Sequence, residues 1–281
     1  MAEQEIAEPG VKQAAQSRRV MLIGYGALGQ AIVAALRDDP TTTIIDVLVR
    51  AGCTSDVERS LPPHIRAVVS LDELERGPDL ILEVANHSAV ATCVPEALAC
   101  GIDVALVSVG ALVDDDLYRK LVESARRGGS QLRLLSGAVG AVDALAAFRE
   151  GKLHDMVYIG RRPPEGCRGT PGGDRFDLSS LRTATVICEG TAREAARLFP
   201  KNTDVAATVA LAGLGFDRAR VRLVADPSNS EDVHSIEASA DAGSFAVELT
   251  GGPLPDNPRV PALTVVSSLR ALRSPSQPVT V

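Results

Sequence analysis

The stretch "RVMLIGYGALGQAIVAALRDD", Arg19 to Asp39, decides how the rest of the chain is read. Its opening "RVMLIG" is a short apolar run closed by glycine, which predicts a strand. "ALGQAIVAALRDD" then carries apolar residues at helical spacing. Between the two lies Gly-x-Gly-x-x-Gly, on Gly24, Gly26 and Gly29. Alone that pattern is weak, but a strand ending at it and a helix opening from it is the context its chemistry requires. Gly24 makes the tight turn, Gly26 lets a pyrophosphate approach the backbone, and Gly29 lets helix and strand pack closely. Tyr25, Ala27 and Leu28 complete a cradle whose amides and helix N-terminus favour an anion. The segment predicts dinucleotide binding.

The same alternation continues. "TTIIDVLV", "DLILEV", "DVALVS" and "QLRLL" read as strands, separated by helical patterns at "SAVATCVPEALACG" and "DDDLYRKLVESARRGG". Pro95 inside the first of these predicts irregular first turns or a helix start near Pro95 itself. Ser70 and Glu73 have the spacing of a capping box. Strands alternating with helices imply a doubly wound parallel sheet, a Rossmann domain over residues 18–138. Residues 139–257 have another rhythm, with several strands in succession, and predict a smaller α+β domain for substrate and dimerisation. The Gly/Pro/Arg-rich "RRPPEGCRGTPGGDR" is expected to be an exposed, mobile loop, and the helical pattern within 258–273 to pack back on the first domain. Residues 1–17 read as a solvated tail without the features of a signal peptide.

Composition narrows the function classes. At 281 residues and a formal net charge of -7, the chain lacks the basic face that a nucleic-acid partner needs. No apolar run approaches the roughly 20 residues that span a bilayer. The cysteines are odd in number and scattered, which fits a reduced cytoplasm, and the four histidines have no metal-ligand spacing.

Which dinucleotide is bound turns on the end of the second strand. Asp46 sits mid-strand, whereas Arg50 occupies the strand end, where an arginine accommodates a 2′-phosphate. NADP is therefore expected alongside NAD, unless Arg50 merely pairs with a nearby acid.

Several further segments together resemble one family, the bacterial and archaeal L-aspartate dehydrogenases. They are "VSVGALVD" from Val107, "LSGAVGAVDAL" from Leu135, "EGTAREAARLFPKNTDVAATVALAG" from Glu189 and "ADPSNSEDVHSIEASADAGSF" from Ala225. With the glycine cradle they run in order over nearly the whole chain. The resemblance implies oxidative deamination of L-aspartate to oxaloacetate and ammonia with NAD(P), and the reverse reductive amination. His234 matches the family's active-site histidine and Ala138 a cofactor contact. A second contact, usually asparagine, falls on Asp204, which cannot donate a hydrogen bond when ionised. Asn86 and His87 stand where the family has a small residue and a histidine, beside the expected nicotinamide.

The chemistry agrees with that assignment of His234. Imine hydration needs a proton acceptor, and histidine titrates near neutral pH without special tuning. A substrate with two carboxylates needs cations or N–H donors. Lys201, Asn202 and Thr203, and the Ser136–Gly137 turn between domains, are the candidates. The alternatives are a related reductase of another dicarboxylate or imine, and a dinucleotide-binding sensor without chemistry. An open sheet in the second domain is expected to form a homodimer.

Overall fold

Val20, Met21, Leu22 and Ile23 are at most 1% exposed, so the first strand is covered on both faces, as its unbroken apolar run requires. A computed structural model of the chain describes residues 17–200, 204–255 and 257–274, and the N-terminal tail lies outside them. Strands β1 (Arg18–Ile23), β2 (Thr42–Leu48), β3 (Arg66–Val68), β4 (Leu80–Glu83), β5 (Val104–Leu106) and β6 (Leu132–Leu134) form one sheet. Its order is β3-β2-β1-β4-β5-β6 and every pairing is parallel. Helices α1 (Ala27–Ala35), α2 (Thr54–Glu58), α3 (His87–Ala99) and α4 (Asp115–Gly128) lie in its connections. The chain reverses its winding between β1 and β4. A crevice therefore opens at their C-terminal ends, flanked by Gly24 and Ala85.

Local chemistry sets two of these helices. Asp114 caps α4 by accepting from the Asp116 and Leu117 amides, and Gly129, at φ 66°, closes it. Asn86 caps α3 by accepting from the Ala89 amide. That helix is regular from His87 onward with Pro95 inside it, contrary to the irregular start expected from the proline. A strong N-cap and a buried apolar face outweigh one lost backbone hydrogen bond. The expected capping box is also not formed: Ser70 accepts from Asp72 at the head of a short 3-10 turn, and Glu73 accepts from Val69 instead.

The second half of the chain supplies α5 (Val142–Glu150), β7 (Leu153–Arg162), β8 (Thr185–Thr191), α6 (Ala192–Leu198), α7 (Asp204–Ala212), β9 (Arg220–Ala225), β10 (Asp232–Ala240) and β11 (Gly243–Gly251). Its strands form a mixed sheet in the order β11-β10-β7-β9-β8. A small hairpin, β12 (Pro253–Leu254) with β13 (Asn257–Pro261), leads into α8 (Ala262–Arg273). Helix α8 returns to the first sheet. Leu272 is fully buried in the cluster that holds Val20 and Leu22, and Arg273 pairs with Asp39 at 2.6 Å.

The stretch 161–175 is only in part the exposed loop its composition suggests: Glu165, Gly166, Arg168, Gly169, Pro171, Asp174 and Arg175 are exposed, but the rest is tied into the fold. Arg161 and Arg162 end β7, while Cys167, Thr170, Gly172 and Gly173 are buried, Gly172 against the ring of Phe199. On one side of the first sheet the apolar core continues without a break into the core of the second. Arg193 of α6 ties the two layers together: it donates to the Val113 carbonyl at 2.7 Å and pairs with Asp115 and Asp217. No helix among the described residues is long and apolar enough to cross a membrane.

Candidate active site

At the switch point the backbone is shaped for a ligand. Gly24 has φ 102°, and a Cβ there would lie 2.7 Å from Ala85 Cβ, so the turn requires glycine. A Cβ on Gly29 would meet the Gly24 carbonyl oxygen at 2.6 Å, which is the close helix–strand packing predicted for it. Gly26 differs. Its φ is ordinary, and a Cβ on it would meet nothing within 4 Å. Protein packing gives no reason for that glycine, whereas a ligand lying over the cradle does. The first turn of α1 contains no acid, and its first internal hydrogen bond is Gln30 N–H to the Gly26 carbonyl. The amides ahead of it are free to receive a pyrophosphate. Arg50 lies exposed beyond the end of β2, with no ion pair among the described residues. Asp46 is buried and committed to Arg66 at 2.8 Å, so it is not a ribose ligand.

A cavity of about 530 Å³ lies between the two sheets. Val107 and the Ser136–Ala138 turn line it from the first sheet's side, and Asp204, Thr208, Arg162, Asp232 and His234 from the second. Of the residues expected in the site, Ser136, Gly137, Ala138, Asp204 and His234 thus share one cavity. Residues 24–29 and Arg50 do not line it. Asn86 spends its side-chain oxygen on capping α3. His87 connects the two ends, its Nε2 lying 3.1 Å from Asp204 Oδ1, which also accepts the Gly110 amide at 2.8 Å. Asp204 is therefore an acceptor at this junction, and its hydrogen bond holds the His87 pKa above the ordinary imidazole value. Lys201, Asn202 and Thr203 lie outside the described residues.

His234 follows from strand alternation. On β7, Tyr158, Gly160 and Arg162 face the same way, and their partners on β10 are Ile236, His234 and, next in register, Asp232. Gly160 leaves the space in which the Tyr158 hydroxyl meets His234 Nδ1 at 2.7 Å; a Cβ on Gly160 would crowd that hydroxyl at 2.9 Å. Both side chains are buried, His234 at 4% exposure. Burial pushes His234 down to about 4, against the opposing charge of Asp232 and with the help of Arg162. The expectation of a histidine titrating near neutrality is corrected: the ring is uncharged at physiological pH. Burial raises the Tyr158 pKa, so the phenol keeps its proton. A hydroxyl both donates and accepts. As donor to Nδ1 it leaves Nε2–H for the cavity; as acceptor from Nδ1–H it leaves Nε2 with a free lone pair.

Two functional candidates escaped sequence reading. Glu83, at the end of β4, is fully buried and accepts from the Ala85 amide at 2.7 Å and from the Ser108 amide and hydroxyl, both at 3.0 Å. It braces the turns after β4 and β5, and burial raises its pKa. The signal was an acid closing the apolar "DLILEV". The other is Arg162, hidden in a stretch whose glycines and prolines suggested a loop.

Comparison with known proteins matches this division. Residues 24–135 match the model described as homoserine dehydrogenase, NAD binding domain, and residues 143–275 the model described as aspartate dehydrogenase, C-terminal. The chain is 46% identical over 266 residues to the L-aspartate dehydrogenase of Cupriavidus taiwanensis, covering 93% of this chain and 99% of that one. The chain belongs to the L-aspartate dehydrogenase family. It is also 44% identical over 267 residues to the L-aspartate dehydrogenase of Pseudomonas aeruginosa, with the same coverage of 93% and 99%. Aspartate dehydrogenase from Thermotoga maritima has the same fold, with a TM-score of 0.73 at 22% identity over 94% of this chain and 99% of that one. Membership of the L-aspartate dehydrogenase family accounts for a nucleotide cradle and a histidine cavity in one molecule.

Proposed function

We propose that this chain oxidises L-aspartate to oxaloacetate and ammonia through iminoaspartate, and catalyses the reverse reductive amination. The observation that carries the reading is a neutral, buried His234 lining a cavity that reaches the turn between the two sheets, in a chain of this family. The cradle residues Gly24 to Gly29, with the open space above Gly26, fit NAD, and exposed Arg50, without an ion pair among the described residues, favours NADP as well. The cofactor when bound supplies the hydride acceptor for the substrate Cα. His234, held at Nδ1 by Tyr158, takes a proton at Nε2 from the water that adds to the imine carbon. It returns that proton to nitrogen as ammonia leaves. The Ser136–Ala138 turn, with Lys201, Asn202 and Thr203, serves substrate binding. Ala138, Asn86, His87 and Asp204 serve the nicotinamide end.

Residues 18–138 with α8 form the cofactor-binding part and 139–257 the catalytic part. Unpaired cysteines support a reducing cytoplasm. The outer face of the second sheet, where Val157, Ile159 and Val233 remain partly exposed and Val186 is 46% exposed, supports a homodimer. The test follows NADH and NADPH absorbance with oxaloacetate. Consumption that requires ammonium is expected, and ammonium-independent consumption would indicate a keto-acid reductase. Sedimentation of the same preparation as a monomer would remove the dimer.

A further inference from the structure

We infer that Arg162 is the carboxylate anchor of the cavity, and that Asp232 occupies it until a dicarboxylate substrate arrives. The inference rests on the dehydrogenase reading and names the group that recognises its substrate.

The cavity is poor in positive charge. Among the described residues lining it, Arg162 is the one lysine or arginine, while Asp204, Glu231 and Asp232 contribute carboxylates. A substrate with two negative charges would be repelled from such walls unless a cation met it. Arg162 is built for that task. It is the last residue of β7, its carbonyl accepts the Asp226 amide at 2.8 Å, and Pro163 follows. The guanidinium is therefore launched from a fixed backbone, on the sheet face that Tyr158 on β7 shares with His234 on β10. An anchor there stands beside the imidazole that handles the proton.

The present partner of Arg162 is weakly committed. Arg162 Nη2 lies 3.0 Å from Asp232 Oδ2, the arginine side chain being 17% exposed and the aspartate 40%. A guanidinium presents a planar fork able to hold a carboxylate through two N–H groups. The pairing with Asp232 uses one of them. An incoming carboxylate that engages the fork replaces the half-exposed Asp232, which swings into water at little cost. Asp232 thus keeps the largely buried arginine from standing unpaired before substrate binds, and competes with substrate for it.

The test is steady-state kinetics with NAD and L-aspartate, combined with calorimetric binding of succinate to the NAD-loaded enzyme. Arg162→Leu is expected to raise the KM for L-aspartate by about 100-fold or more and to lower its preference over L-alanine, with NAD affinity unchanged. Arg162→Lys, which retains charge without the fork, should recover part of the loss. Asp232→Asn should move the other way, lowering the aspartate KM severalfold and tightening succinate binding. A purely structural ion pair predicts that both single variants lose stability and neither shifts substrate preference. Unchanged KM and succinate affinity in Arg162→Leu would overturn the anchor even if the wild-type enzyme oxidises aspartate. Should the wild type fail to oxidise aspartate yet bind succinate through Arg162, the reaction assignment falls and the anchor stands. If Arg162→Leu does not fold, the opposed shifts of Arg162→Lys and Asp232→Asn decide the matter, and equal shifts reject the anchor.

Discussion

The two ends of the site are made of different material. The cradle after β1 is backbone: glycines, a helix N-terminus and amides, all within six consecutive residues. The cavity draws its arginine, its histidine and two of its carboxylates from β7, β10 and α7, far apart in the chain, and its central histidine is defined by what surrounds it. The contrast extends to the two histidines. His87 sits at a helix start beside Asp204 and gains a proton more readily than free imidazole, whereas His234 is buried between strands and resists one. A backbone site tolerates changes of side chain and fails on the addition of a Cβ. A side-chain site does the reverse.

The sharpest break of that comparison is His234→Ala. Turnover should fall by about 10²–10⁴-fold while NAD affinity holds, because general acid–base help of that size is lost and the cradle is untouched. Unchanged turnover would remove His234 from the reaction. The same residue has a signature in stability. An unfolded histidine protonates as pH falls through its ordinary value of 6.5, while buried His234 stays neutral down to about 4. Across that window the unfolded state binds the extra proton, so stability declines as pH falls. His87, raised by Asp204, opposes the trend by binding its proton earlier in the folded state. Nitrogen-resolved NMR titration of the unliganded enzyme should find the two rings on opposite sides of 6.5.

Next in size is a pair of glycine substitutions. Gly24→Ala forces a side chain into a positive φ and against Ala85, and should cost about 2–4 kcal/mol of folding stability in denaturant titration. Gly26→Ala meets no protein atom, so its unfolding midpoint should match the wild type while NAD binding weakens about tenfold or more. Equal loss of stability in both would mean that Gly26 serves packing and not the ligand. The smallest expected effect is Arg50→Asp, a shift of about tenfold in preference from NADP towards NAD. An unaltered ratio would put the 2′ end of the nucleotide elsewhere.

Legibility in the sequence followed the range of the interactions. The parallel sheet and its helices were readable because each strand is an apolar run and each helix a 3.6-residue stripe, both properties of neighbours in the chain. The same holds for the strands of the second half. Short β3 and the β12–β13 hairpin went unread, having too few residues to show a period. Pro95 misled because its local penalty is outweighed by tertiary burial, and 161–175 because glycine and proline also serve tight packing, as Gly172 does against Phe199. His234 was named through family resemblance, but its neutrality, its Tyr158 partner and the need for Gly160 opposite it come only from strand register.

The cradle, the alternation of elements and the family are thus legible from residue order, since these rest on spacing within short segments. Tertiary structure alone decided that Arg162 faces His234, that Glu83 is buried beneath the switch point, and that Asp204 joins the two layers through His87 and Gly110. The reason is physical. Burial and charge pairing depend on distance in space, and residues 76 positions apart, like Tyr158 and His234, acquire a shared chemistry only when the sheet aligns them.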